Sequence, residues 1–331
     1  DAKAWPVKYA TMFHMTNDSR LFLTRAELVA KGFTPTTLSH WLRNGSCAVP
    51  LLVGKTIWHF DHRANHASVN TGNLQVASSS IEVSSAEKAD PNFAPEPQYW
   101  VVAPPAGDAA LDWAIGFRDI TNPTNARTAI GAIVPYRLAG NTLPLLVPDN
   151  DAPPAAQWMP LLLANFNSLA FDYVTRQKAK WTHLNWFILE QLPVITPARF
   201  DEPLPAAFVA AMRAARLMNG HHPHPTVADF IIPQVLALSY TAHDLAPFAR
   251  DLGYVDAAGQ VLPPIAWDEE QRRARLAALD AVFFWLYGLG ADDAAYVLDT
   301  FPIVRAQDER VFGRWRTRDE VLAALALLGA N

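Results

Sequence analysis

Residues 161–194, LLLANFNSLAFDYVTRQKAKWTHLNWFILEQLPV, contain the pattern around which we interpret the rest of the chain. Apolar side chains recur at helical spacing and predict one packed face of a single helix: Leu162, Phe166, Leu169 and Tyr173. The polar residues between them would occupy the remaining faces of that helix. The helix leads into a basic segment with aromatic rings, and prolines end the segment. This order predicts a packed scaffold that carries an anion-binding loop.

The segment after this helix combines positive charge with flat rings. No Asp or Glu lies between Tyr173 and Leu189, so the local electrostatic potential should attract a polyanion. The alternative is a solvated loop whose tryptophans pack into the core. The candidate contact residues are Arg176, Lys178, Lys180, Trp181, Thr182, His183 and Asn185.

A second stretch, WAIGFRDITNPTNARTAIGAIVP at residues 113–135, is also poor in acidic residues. Arginine suits guanine, asparagine suits adenine, and hydroxyl groups suit either base or a phosphate. The alternative is an ordinary Asn/Pro turn between two strands. The candidates here are Arg118, Asn122, Thr124, Asn125 and Arg127, and the candidate phosphate contacts of the whole chain are Arg63, Arg176 and Lys178.

Composition and charge limit the class of protein. The chain has 331 residues, a formal net charge of -5 and one cysteine, Cys47. Residues 1–199 carry 16 Lys and Arg against 15 acidic residues, whereas residues 200–331 carry 11 against 17. An anionic partner should therefore meet the first two thirds. The sequence lacks an apolar run of transmembrane length and a signal-peptide pattern, which predicts a cytoplasmic location and no membrane partner.

Changes in composition and in the spacing of apolar residues along the chain predict three regions. Residues 1–94 are interpreted as a connecting region, residues 95–200 as a mixed α/β domain with short strands and a closing helix, and residues 201–331 as a mostly helical domain. Helix signals include Thr24 as an N-cap with Gly32 as the stop, and Asp268 as an N-cap with Gly288 as the stop. Because the chain begins with Asp1 rather than Met, we expect it to be part of a larger protein.

Two other functions are compatible with the sequence. The string HFDHRANH places His59, Asp61, His62 and His66 close together, as a metal-dependent hydrolase or nuclease would require. A second acidic or histidine group at a defined spacing is not apparent, so the pattern favours satisfied polar residues or phosphate contacts over a metal site. The acidic helical region could instead serve as a protein-interaction scaffold without affinity for DNA.

The order of several motifs resembles the C-terminal half of large adenine-specific DNA methyltransferases. The motifs that carry this resemblance are MTNDSRLFLTRAEL, GKTIWHFDHR, ADPNF, IGFRDITNPTNARTAI, LLANFNSLAFDYVTRQK, THLNWFILEQLPV, LAPFARDLGY and YVLDTFPIVR. Such enzymes occur in type IIG restriction-modification and in the BREX and DISARM phage-defence systems. The resemblance runs from about Met15 to Arg318.

The resemblance implies that this chain is a target-recognition region that reads duplex DNA. The parent protein would be a site-specific DNA adenine methyltransferase, and S-adenosylmethionine would bind in a domain upstream of this chain. Its partners would be duplex DNA and either its own methyltransferase domain or other subunits of the defence system. The chain lacks the catalytic N-P-P-aromatic motif, since the sequence Asn122-Pro123-Thr124-Asn125 has neither the second proline nor the ring. We therefore expect no catalytic residue, metal or cofactor in the chain itself.

Overall fold

The computed structural model describes residues 4–67, 80–102, 112–136, 139–179, 182–220 and 223–329. The strands in chain order are β1 Val7–Ala10, β2 Thr34–Pro35, β3 Trp41–Arg43, β4 Ser46–Pro50, β5 Asn65–Ala67, β6 Ser80–Glu82, β7 Trp100–Val102, β8 Trp113–Phe117, β9 Gly131–Pro135 and β10 Leu145–Pro148. The α-helices are α1 Arg25–Ala30, α2 Ser85–Lys88, α3 Met159–Asn167, α4 Leu169–Lys178, α5 Trp186–Leu189, α6 Ala206–Ala214, α7 Val227–Ser239, α8 Ala246–Asp251, α9 Glu269–Leu286, α10 Ala291–Asp299, α11 Pro302–Phe312 and α12 Arg316–Leu327. The predicted mixed α/β fold with a helical C-terminal region is confirmed.

The strands form antiparallel sheets in which neighbours come from distant parts of the chain. The first sheet has the order β1-β10-β8-β9, the second has the order β2-β3-β4-β7, and β5 pairs with β6. Strand β1 pairs with β10, and β4 pairs with β7. Residues 1–94, interpreted from the sequence as a connecting region, thus supply strands to both four-stranded sheets.

Helix α3 lies in the centre of the main core. Each of its residues is buried, and it packs against β9 and α7. A Cβ atom added at Gly131 of β9 would lie 2.9 Å from Cδ1 of Leu163, so the glycine permits a close approach of strand and helix. At the end of α3, the Asn167 side-chain amide donates to the Gly131 carbonyl and accepts from the Gly131 N–H, both at 2.9 Å. The Asn167 side chain thus makes the same pair of hydrogen bonds to Gly131 that a residue of a neighbouring strand would make.

The prediction of a single helix that carries Leu162, Phe166, Leu169 and Tyr173 on one face is wrong, because Ser168 divides the segment into α3 and α4. Ser168 has extended backbone angles, φ -70° and ψ 149°, and its hydroxyl accepts from the Phe171 N–H as the N-cap of α4. The polar residues before it do not occupy an exposed face. Asn165 is fully buried, donates to the Tyr287 hydroxyl at 2.8 Å and accepts from the Ile195 N–H at 2.8 Å. Apolar spacing alone does not reveal that both flanks of a helix are buried.

The C-terminal helices pack around α9. This helix contacts α12, α7 and α4, and its N-cap is Asp268, as predicted, whose carboxylate accepts from the Gln271 N–H. The predicted N-cap at Thr24 of α1 is also confirmed, with a reciprocal bond from Glu27. Among the helices of the described residues, none has the length and apolar character needed to cross a membrane.

The buried carboxyl group of Asp280 should make stability depend on pH. It lies on α9 and accepts from the Leu169 N–H at 2.7 Å, and burial raises its pKa to about 6. The folded chain therefore holds this proton more tightly than the unfolded chain does. The resulting stabilisation is complete below about pH 4 and is lost as the pH rises through 6.

Asp280→Asn keeps an oxygen acceptor for Leu169 and removes the ionisation. Its free energy of unfolding, relative to the parent chain, should increase by about 2 kcal/mol between pH 4 and pH 7. Urea denaturation at a series of pH values measures this difference. The exposed Asp201→Asn variant is the control and should track the parent. Parallel curves for Asp280→Asn and the parent would contradict the assignment.

Candidate nucleic-acid interface

The two acid-poor stretches identified in the sequence lie side by side. Ile120 forms an antiparallel bridge with His183. The Thr121 N–H donates to the Thr182 carbonyl at 3.0 Å, and the Leu184 N–H donates to the Asp119 carbonyl at 2.7 Å. These two backbone hydrogen bonds make up the bridge and join the loop after β8 to the loop after α4. Segments more than 60 positions apart in sequence become one continuous surface.

The turn at residues 122–126 is held by its own side chains and by α4. Asn122 Oδ1 accepts from the Thr124 N–H at 2.9 Å and from the Thr124 hydroxyl at 2.7 Å, which is an Asx turn. Arg176 of α4 donates through Nη2 to the carbonyls of Asn125 at 2.8 Å and Ala126 at 2.7 Å. Its guanidinium also lies 4.1 Å from the ring centroid of Phe301. The turn is therefore attached to the helical core on one side and exposed on the other.

The buried carboxylate of Asp172 holds the end of the same loop. It is fully buried on α4 and accepts from the N–H groups of Thr128 and Ala129, both at 3.0 Å, and from Arg127 Nε at 2.7 Å. A buried carboxylate needs several donors to offset its lost hydration. These donors all come from the strand end that follows the turn, so Asp172 fixes where the loop returns to the sheet.

We call the solvent-facing residues of the two joined loops the paired-loop surface. They are Ile120, Asn122, Thr124, Asn125, Thr182, His183, Asn185 and Phe187, with Lys178 exposed at the end of α4. His183 Nδ1 lies 2.7 Å from a carboxylate oxygen of Asp119, so this ring already has a polar partner within the protein. The surface consequently displays amides, hydroxyls and apolar side chains, and Lys178 is its one unmistakable cation within the described residues.

Two predicted arginine contacts are incompatible with this geometry because the side chains are internal. Arg63 is fully buried, and its guanidinium donates to the carbonyls of Lys88, Asp90, Phe93 and Thr241. It therefore joins the N-terminal region to the segment after α7 and does not face a phosphate. The prediction is corrected because three methylene groups and a charged guanidinium can be buried when carbonyls surround the guanidinium.

Arg118 is also committed to the protein interior. It donates through Nε to the carbonyls of Gly54 at 2.9 Å and Ile57 at 3.1 Å, and it lies over the ring of Trp58. Burial lowers its pKa to about 10. Arg118 braces the backbone behind the paired-loop surface instead of reading a base.

Arg127 and Arg176 likewise support the loop from behind. Arg127 binds Asp172 and the Asn167 carbonyl, and burial lowers the pKa of Arg176. Their side chains are only 12% and 10% exposed. Both were predicted as DNA contacts, and both are corrected to positioning residues. Lys180 and Trp181, two further candidates, lie outside the described residues.

The four residues of the alternative metal site make separate polar contacts. His59 bonds the Ala129 carbonyl at 3.0 Å, Asp61 pairs with Lys88 at 2.9 Å, and His62 pairs with Asp244 at 3.0 Å. His66 lies 3.4 Å from a carboxylate oxygen of Glu87. Across the described ranges, no three His, Cys, Asp or Glu side chains converge in a way that could hold a metal ion. Each of these residues is instead paired with a different partner outside the set.

Ile120 and Phe187 belong to the paired-loop surface but were not among the sequence candidates. They are 55% and 74% exposed. Apolar residues beside Trp186 and within a strand-like run have the same sequence signature as core residues, so the sequence gives no signal for their exposure. They share one surface because the backbone pairing of Ile120 with His183 joins the two loops.

Comparison with known proteins adds no family assignment. The chain matches no protein-family model, and searches of curated proteins and of solved structures likewise found no match. The resemblance to adenine-specific DNA methyltransferases therefore depends only on the motifs quoted from the sequence. The function of the paired-loop surface must be argued from its own geometry.

Removal of the Asp172 carboxylate should destabilise the chain strongly. Asp172→Ala leaves Arg127 and two buried N–H groups without their acceptor, and loss of one partner of a buried pair costs about 3 to 5 kcal/mol. Urea denaturation measures the change. The control is Glu309→Ala, which removes the exposed pair with Arg305 and should leave the free energy of unfolding almost unchanged, because solvent screens an exposed pair. Similar losses in both variants would show that Asp172 does not organise the loop.

Proposed function

We propose that this chain recognises duplex DNA through the paired-loop surface and that this recognition depends on base sequence. The observation that supports the proposal is the direct backbone pairing of the two loops, which brings two sets of hydrogen-bonding side chains onto one face. Asparagine binds the N6 and N7 positions of adenine, and threonine hydroxyls bind base edges or phosphates. A surface of this composition suits hydrogen-bond recognition better than nonspecific attraction.

The amides of Asn125 and Asn185 are the proposed base-reading groups. Both residues are exposed. Asn185 uses Oδ1 to cap α5 by accepting from the Ile188 N–H at 3.1 Å, so its amide nitrogen is the group that it offers to DNA. The backbone of Asn125 is fixed by Arg176 and by the Asx turn. Fixed supports reduce the conformational entropy lost on binding and favour discrimination among bases.

Phosphate attraction would be contributed by Lys178 and by the positive N-terminal two thirds of the chain. The buried arginines would hold the loops in place without contributing a direct contact. This arrangement predicts that a modest number of counterions is released on binding and that a large share of the affinity depends on sequence.

The wider role that we propose follows the sequence resemblance. This chain would select the target site for an adenine-specific DNA methyltransferase of a restriction-modification or phage-defence system in the cytoplasm. S-adenosylmethionine and the catalytic motif would reside in an upstream domain, into which the target adenine would be flipped. The chain described here would hold the flanking bases.

The base-reading assignment is tested by selection from a pool of random duplexes, followed by affinity measurements on the selected sequence. Asn125→Ala should weaken binding by about 1 to 3 kcal/mol and relax selection at one base pair, since one amide contact is lost. Asn185→Ser keeps a residue able to cap α5 and should relax selection at a different position. Asn92→Ala, an exposed asparagine elsewhere, is the control. Failure of the parent chain to enrich any sequence would refute the proposed function.

Lys178 should contribute to affinity without contributing to sequence choice. Lys178→Ala removes an exposed cation, so the slope of log affinity against log salt concentration should become shallower by about 1 for all duplexes. Fluorescence anisotropy over a salt series measures the slope. Lys31→Ala, an exposed lysine at the end of α1, should leave it unchanged. An unchanged slope for Lys178→Ala would remove this residue from the interface.

A further inference from the structure

Phe187 has the largest exposed fraction among the large apolar side chains of the described residues. It is 74% exposed, whereas its helix neighbours Trp186, Ile188 and Leu189 are partly buried and pack against the main core. The helix α5 therefore anchors three apolar side chains and directs the fourth into solvent. Isolated exposed apolar residues are common. Phe187 differs from them in the fixed backbone that carries it and in the hydrogen-bonding side chains around it.

The backbone that carries Phe187 is fixed on several sides. Leu184 just before α5 is fully buried and bonds Asp119. The ring of Trp186 lies 5.8 Å from the ring of Tyr9 on β1, and the Phe187 carbonyl accepts from Gln191 Nε2 at 2.9 Å. A phenyl ring on such a support is presented in a defined direction. It does not depend on a flexible loop for its position.

The surroundings of Phe187 indicate what it contacts. Asn185, Thr182 and His183 precede it on the paired-loop surface, and the exposed Ile120 lies on the strand segment bridged to His183. The sugar-phosphate backbone offers no flat apolar surface for a phenyl ring, whereas the faces of the bases do. Apolar side chains that enter a duplex separate adjacent base pairs and bend the DNA, and rings stack on bases without regard to their identity.

We propose that Phe187 acts as a wedge that enters the base stack of the duplex bound by the paired-loop surface. This inference rests on the proposed function. The wedge opens one base step, while the neighbouring amides read the adjacent base edges. Separation of a base step beside the recognised sequence would also lower the energy required to extrude a nearby base.

The test uses duplexes of the sequence that the parent chain selects from a random pool, each with 2-aminopurine at one successive position. Insertion of Phe187 should raise 2-aminopurine fluorescence at one step, because unstacking removes its quenching. Phe187→Ala should abolish that rise and weaken binding about tenfold, while Phe187→Trp should retain both. Tyr296→Ala, an exposed aromatic residue on α10 that is 64% exposed, is the matched control and should leave both signals unchanged.

The outcomes separate this inference from the function on which it rests. If the parent chain selects a sequence but the parent and Phe187→Ala give the same fluorescence profile, the wedge is overturned and DNA recognition is left intact. Weaker binding of Phe187→Ala without any fluorescent step in the parent would identify a groove contact, such as one with a thymine methyl group, and would also overturn it. Failure to select any duplex would refute the proposed function itself. Thermal unfolding of each variant verifies that the exposed substitutions leave the fold unchanged.

Discussion

Buried polar groups on α3 and α4 must have hydrogen-bond partners, and these partners determine how the sheet, the loops and the helical region fit together. The amide of Asn167 bonds both backbone groups of Gly131 on β9. The carboxylate of Asp172 binds the strand end at Thr128 and Ala129. Asp280 of α9 receives the first N–H of α4. Because an unpaired buried polar group costs about 1 to 3 kcal/mol, alternative placements of the loops are strongly disfavoured.

This constraint gives the buried arginines and the solvent-facing side chains different roles. Arginines remain charged at any ordinary pH and carry several donors, so they can bridge the carbonyl groups of buried turns. Arg118 and Arg176 do this directly behind the paired-loop surface. The solvent-facing side is left to amides and hydroxyls, which carry little charge. A recognition surface built in this way would derive its selectivity from hydrogen bonds whose donors and acceptors are held in place before binding.

The sequence predicted short strands within residues 95–200, the caps at Thr24 and Asp268, and the helical C-terminal region, because each depends on local patterns of a few residues. It did not predict β1, which completes the first sheet. It did not predict the break at Ser168, since buried asparagines look like the polar face of an amphipathic helix. Nor did it distinguish an arginine at the surface from one enclosed by carbonyls, as Arg63 is. That distinction depends on which distant segments meet. Composition located both loops of the candidate surface, but only the long-range pairing of Ile120 with His183 joins them.

The central claim is that the two loops form one DNA-binding surface, and amide hydrogen exchange followed by mass spectrometry tests it most directly. The chain would be measured alone and with a duplex enriched from a random pool, at low and at moderate salt. We predict slower exchange in residues 119–128 and 182–188 together, at the same duplex concentrations, with little change in α11 and α12. Protection of one segment without the other, or protection confined to the C-terminal helices, would contradict this account.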